Sequence, residues 1–237
     1  MPSKYRRCRR ARRASSLAVI SAATMWALPS VGGAANAAMA PIAPYLMASR
    51  QQEIALARSA APASIAGHAS VMVLGKHGYV TAVKGTNGFV CLVVRSWDNE
   101  LDVKSGVFWN PQFHAPFCLN PAGAEFELPL YLLRTQWAIG GVSQKEMAVR
   151  EQAAWAAGKL QEPKPGAMCY MMSRRADLGG GPWHSHIMFY LPLEKTPASW
   201  GANLAHTPIA AGASDHATIF YVVVPYWSDG TADSGIQ

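Results

Sequence analysis

Three apolar runs separated by short glycine-rich turns, Val71 to Leu74, Tyr79 to Val83 and Phe89 to Val94, constrain this chain more than any other feature. Branched and aromatic residues dominate the runs, while Gly75-Lys76-His77-Gly78 and Asn87-Gly88 are turn signals. They commit residues 70–97 to a sheet, and the short connections predict an antiparallel meander in which each strand lies beside its neighbour in sequence.

Further strands are expected at Ala167 to Met172, along the run ending at Pro192, and at Thr218 to Val224. Between them helical periodicity takes over. A first helix is expected over Tyr45 to Ala60, and a second near Leu128 to Ile139, opening at Pro129 and stopping at Gly140-Gly141. A third carries a full start signal: Ser143 as N-cap, Glu146 as its capping-box partner, and Val142 set to pack on Met147. Asp98 to Pro121 and Thr196 to Asp215 read as loops, and 228–237 as a flexible tail. The expected class is α+β, with one globular domain over 38–227. Its sheet of about six strands is mostly antiparallel, covered on one face by the helical hairpin and the N-terminal helix.

Charge is informative only once it is located. Of the 21 basic residues, seven precede Ala14, and an apolar run from Leu17 to Leu28 and then Ala35-Asn36-Ala37 follow. That order is a signal peptide over 1–37. The remaining chain balances its charges, so no nucleic-acid partner is expected. No later apolar run reaches the roughly 18 residues of a spanning helix, so no transmembrane segment is expected after signal removal. These features predict a secreted or periplasmic bacterial protein. In an oxidising compartment two of Cys91, Cys118 and Cys169 pair. Cys91 with Cys118 is the favoured choice, tying a strand cysteine to a loop cysteine and stapling 97–121 to the sheet, while Cys169 reads as a small buried hydrophobe.

Gly85-Thr86-Asn87-Gly88-Phe89-Val90-Cys91-Leu92 resembles a G-T-N-G-F-x-C-L segment of a family of uncharacterised secreted bacterial proteins. The resemblance implies secretion and an early meander, and it transfers no catalytic or ligand residue.

Side chains capable of chemistry gather only in Trp183-His184-Ser185-His186-Ile187-Met188-Phe189-Tyr190. Strand alternation puts Ser185, Ile187, Phe189 and Leu191 on the expected core face, and His184, His186, Met188 and Tyr190 on the other. Two imidazoles at i and i+2 can converge on one metal. A symmetric pairing with the strand from Ala167 sets Met172 opposite His186 as a third ligand, a set that suits copper better than zinc. Histidine pairs at the mouth of a strand are nevertheless more often structural. No G-x-S-x-G elbow is present, and Gly179-Gly180-Gly181 lacks the Lys-Ser/Thr of a phosphate loop. A Cys118–His114 nucleophile pair would be abolished by a disulfide at Cys118. Catalytic residues are therefore unassigned. The leading expectation is a non-catalytic binding or envelope-associated protein that meets an unidentified ligand or envelope partner through Trp109, Phe113 and Trp183. The alternative is a copper or zinc protein, or a metal-dependent enzyme, built on His184 and His186 with Met172.

Overall fold

A computed structural model describes residues 41–99, 108–179, 183–193, 201–202, 209–212 and 216–235. The expected signal peptide, 1–37, lies outside them. The helices are α1 (Arg50–Arg58), α2 (Ala63–Ala66), α3 (Ser96–Asn99), α4 (Pro121–Ile139) and α5 (Gln144–Ala156). The strands are β1 (Ser70–Gly75), β2 (Gly78–Val83), β3 (Val90–Val94), β4 (Ala115–Leu119), β5 (Met168–Met171), β6 (His186–Pro192), β7 (Ile209–Gly212) and β8 (Ala217–Val223). All eight strands form one sheet in the order β2-β1-β3-β4-β5-β6-β8-β7. Every pairing is antiparallel except that of β1 with β3. The class is α+β, as expected.

The parallel pair corrects the meander. After β2 the chain passes around the start of β1 and enters β3 on its far side, with Ser70 opposite Val90 and Val71 opposite Cys91. Gly85 permits the crossing, because a Cβ there would lie 2.1 Å from the Ser70 nitrogen. Its N–H donates to Ser70 Oγ at 2.9 Å, and Thr86 N–H donates to the His68 carbonyl at 2.8 Å. Asn87 completes the bend, accepting from Phe89 N–H and donating to the Ile65 carbonyl. The Asn87-Gly88 signal is thus a true turn, serving a crossover instead of a hairpin.

The two helical layers lie on opposite faces, which corrects the expectation that they share one. Cys91, Val93 and Cys118 pack with Leu56 and Ala57 of α1, whereas Leu92, Val94, Phe117 and Leu119 pack with Phe126 and Tyr131 of α4. The physical reason lies in β3, whose Val90-Cys91-Leu92-Val93-Val94 is apolar at every position, as a strand covered on both sides must be. The expected loop 98–121 contains β4, the last two residues of α3 and the first of α4, so Cys118 is a strand cysteine. Its disulfide with Cys91 joins residues directly opposed across the β3–β4 ladder. Within the expected loop 196–215, β7 is formed.

Helix α4 starts a full two turns before the expected position. Asn120 is its N-cap, accepting from Gly123 N–H at 2.7 Å, and Pro121 occupies the first turn, leaving Pro129 inside the helix. The proline removes one helical hydrogen bond, while Phe126, Leu130 and Tyr131 around it are buried and hold the helix in place. The α5 start follows expectation: Ser143 Oγ accepts from Glu146 N–H, and Arg150 pairs with Glu146 at 3.0 Å.

Buried charge ties the layers together. Glu53 of α1 accepts from Leu74 N–H and pairs with Arg95 at 2.9 Å, with both side chains buried. On the other face Arg134 of α4 pairs with Glu151 of α5 at 2.8 Å and donates to the Asp98 carbonyl. Asp98 is itself buried beside Tyr79 and Thr135. Burial raises its carboxyl to about 7, against the pull of Arg134 and Arg95. Among the described residues no helix is long and apolar enough to cross a membrane.

Candidate functional site

The faces of β6 are the reverse of those expected. His186, Met188 and Tyr190 point into the core, while Phe189 is 36% exposed. Both faces of this strand are apolar, so the sequence pattern does not choose between them. The choice is made by α4, whose Phe126 packs on Tyr190 at 5.2 Å between ring centroids, whereas α1 packs on β1, β3 and β4.

The register of β5 with β6 sets Met171, not Met172, opposite His186. One residue of slip sends a side chain to the other face, so the Met172 assignment fails. Met172 has left the ladder: its N–H donates to the Ala60 carbonyl, and its own carbonyl accepts from Ser228 N–H. Phe113, expected on a binding rim, is a core residue at 3% exposure. Trp109 is half-buried and packs edge-on against Phe108. The chain that follows it pairs with the segment after β5 through backbone hydrogen bonds between His114 and Asp177.

Each imidazole of the pair has its Nδ1 engaged. His184 Nδ1 lies 3.3 Å from the Asp233 carboxylate, and His186 Nδ1 donates to the His184 carbonyl at 2.8 Å. That second bond fixes the His186 tautomer and leaves Nε2 as a bare acceptor. Nε2 is buried and has no partner among the described residues. The His186 ring contacts Trp183, at 4.8 Å between centroids, and Tyr221, at 5.6 Å. Burial lowers its pKa, so the ring is neutral near pH 7. Trp183 is held by its own Nε1–H, which donates to the Ser173 carbonyl at 3.1 Å.

Asp233 is the residue that sequence reasoning missed. The segment read as a flexible tail folds back in its described part, through residue 235: Tyr226 bridges to Ala232, and Asp233 is 7% exposed. Its carboxylate accepts from Ser185 N–H at 2.8 Å and Gly235 N–H at 3.3 Å. Burial works to raise its pKa, but these donors and His184 outweigh it and hold the carboxyl below the usual range. Gly235 lies flat on His184, since a Cβ there would be 2.5 Å from the ring. Nothing local to an aspartate in a Gly- and Ser-containing terminus marks such a partner.

Nucleophiles are committed elsewhere. Ser185 Oγ donates to the Tyr226 carbonyl at 2.6 Å, Cys118 is oxidised, and Cys169 is buried with its thiol pushed up by desolvation. Among the described residues no group of three His, Cys, Asp or Glu side chains is placed to hold a metal ion. No protein-family model, curated protein or solved structure matches the chain.

Proposed function

We propose that this is an exported, non-catalytic binding protein whose site is the rim formed by Trp183, His184, His186, Tyr221 and Asp233. The observation that carries the reading is the lone pair of His186 Nε2, held by a fixed tautomer in contact with two aromatic rings and with no donor among the described residues. A buried acceptor without a partner costs roughly 1–3 kcal/mol, and a ligand donor is one way to recover it. Trp183 and Tyr221 add flat apolar surface beside it, the usual company of a few placed polar groups in a ligand site. The cross-strand disulfide and the basic, apolar, small-residue order of the N-terminus support export. The engagement of Ser185, Cys118 and Cys169 supports binding over covalent catalysis.

The test is a thermal-shift screen of the purified protein against sugars, amino acids, amines and copper or zinc salts, run beside His186→Phe and Trp183→Ala. A ligand that raises the melting temperature of the parent but not of His186→Phe supports the rim. Hits indifferent to both substitutions would overturn it. A fusion to a reporter active only outside the cytoplasm checks export.

The copper or zinc reading keeps one supporting observation. Met171 stands directly across the ladder from His186, and directly opposed residues share a face, which puts a thioether on the same face as the imidazole. His184, with Nδ1 on a carboxylate, has the arrangement common in metal-binding histidines. Stoichiometric metal in the purified protein that disappears in a His184→Ala, His186→Ala variant would favour it over an organic ligand.

A further inference from the structure

A groove lies between α4 and α5, lined by residues other than those of the rim. It has a volume of about 250 Å³ and is lined by Leu133 and Trp137 of α4, Ala153 and Ala154 of α5, and the cations Arg150 and Lys159. Leu133 and Trp137 are one helical turn apart and present a single apolar floor. The alanines of α5 leave the space above that floor open. The chain beyond α5 fixes the position of Lys159. Gly158 adopts φ +65°, and Lys159 N–H donates back to the Ala154 carbonyl at 2.9 Å, closing the helix with a Schellman turn.

The two cations differ in availability. Arg150 is paired with Glu146. Lys159 has no ion pair or side-chain hydrogen bond among the described residues. An apolar floor with an unpaired ammonium at its end is complementary to one chemical type, a chain of methylenes carrying an anion. The volume lies just under the roughly 300 Å³ at which pockets for drug-sized ligands begin, so it suits a single short chain.

We infer that the α4–α5 groove binds a medium-chain fatty acid anion, with the alkyl chain on Leu133, Trp137 and Ala154 and the carboxylate at Lys159. This site is independent of the rim around His186, and either can fail without the other.

Isothermal titration of the purified protein with octanoate, decanoate, decanol and decyltrimethylammonium, each below its micelle concentration, tests the assignment. One saturable site is expected for decanoate, tightening about fourfold per added methylene from octanoate upward. Lys159→Glu should weaken decanoate roughly fivefold and leave decanol unchanged. Ala153 is exposed on a helix, so Ala153→Leu should fold normally, fill the groove and abolish binding. Trp183→Ala should bind decanoate as the parent does. Absence of a saturable site, unchanged binding in a folded Ala153→Leu protein, or a cationic amphiphile binding as tightly as decanoate would each overturn the assignment.

Discussion

His184 and Asp233 stand 49 residues apart in the chain and meet with 3.3 Å between Nδ1 and the carboxylate. The same carboxylate receives the Ser185 and Gly235 N–H groups, so one side chain fastens the last described residues to the mouth of β6. Asp233→Ala should lower stability by about 2 kcal/mol, with Asp233→Asn in between because the amide keeps one acceptor. Urea unfolding at pH 7 reads the difference. A midpoint unchanged by Asp233→Ala would mean that the contact contributes nothing.

Stability should depend on pH in two opposing ways. Burial holds His186 and His114 below the ordinary histidine value, so the unfolded chain takes up protons first. Their contribution is present above about 6.5 and is lost as pH falls from there toward their folded values. Asp98 acts in the reverse sense. Burial raises its carboxyl to about 7, so its contribution is complete below about 4 and is lost as pH rises to about 7. Urea midpoints measured from pH 4 to 8 should show His186→Phe losing less than the parent on acidification below 6.5. Asp98→Asn should gain on the parent as pH rises from 4 to 7. Parallel curves for parent and Asp98→Asn would refute the buried-acid account.

The Cys91–Cys118 bond closes a loop with a sequence separation of 27, between strands that pair along their whole length. Replacing both cysteines with alanine should cost about 3 kcal/mol, chiefly through the freer unfolded chain. Thermal melts of the parent with and without reductant, beside the double variant, should agree. If reductant leaves the parent melt where it was, the bond is not formed in solution.

Arg134 and Glu151 join α4 to α5 with both side chains buried. Glu151→Leu removes the carboxylate facing the buried guanidinium and should cost about 3–5 kcal/mol, whereas Glu151→Leu with Arg134→Met removes both charges and should cost less than the single change. A double-mutant cycle in urea decides it. Additive losses would show that the pair does not act as a unit.

Local chemistry was readable in the sequence; the choices made by distant packing were not. The Ser143 cap, the Glu146–Arg150 pair, the apolar runs of β1, β2 and β3 and the Cys91–Cys118 pairing all follow from residue types at short spacing. The path into β3 did not, because a turn dipeptide states where the chain bends and not which edge it then joins. Pro129 misplaced the start of α4, since the cost of an internal proline was offset by the burial of Phe126, Leu130 and Tyr131 around it. The β6 faces were reversed because Ile187, Phe189 and Leu191 are as apolar as Met188 and Tyr190, and only the location of α4 distinguishes them. The imidazole pair was legible from its spacing. Its tautomers and the Asp233 partner required the fold.

The order in which the chain emerges gives that late carboxylate a further role. When His184 leaves the ribosome, Asp233 is still 49 residues behind it. Until it arrives, the Ser185 amide has no anion to receive it and the His184 ring can swing freely. The nascent molecule therefore leaves the His184 ring unfixed until the C-terminal clasp has closed.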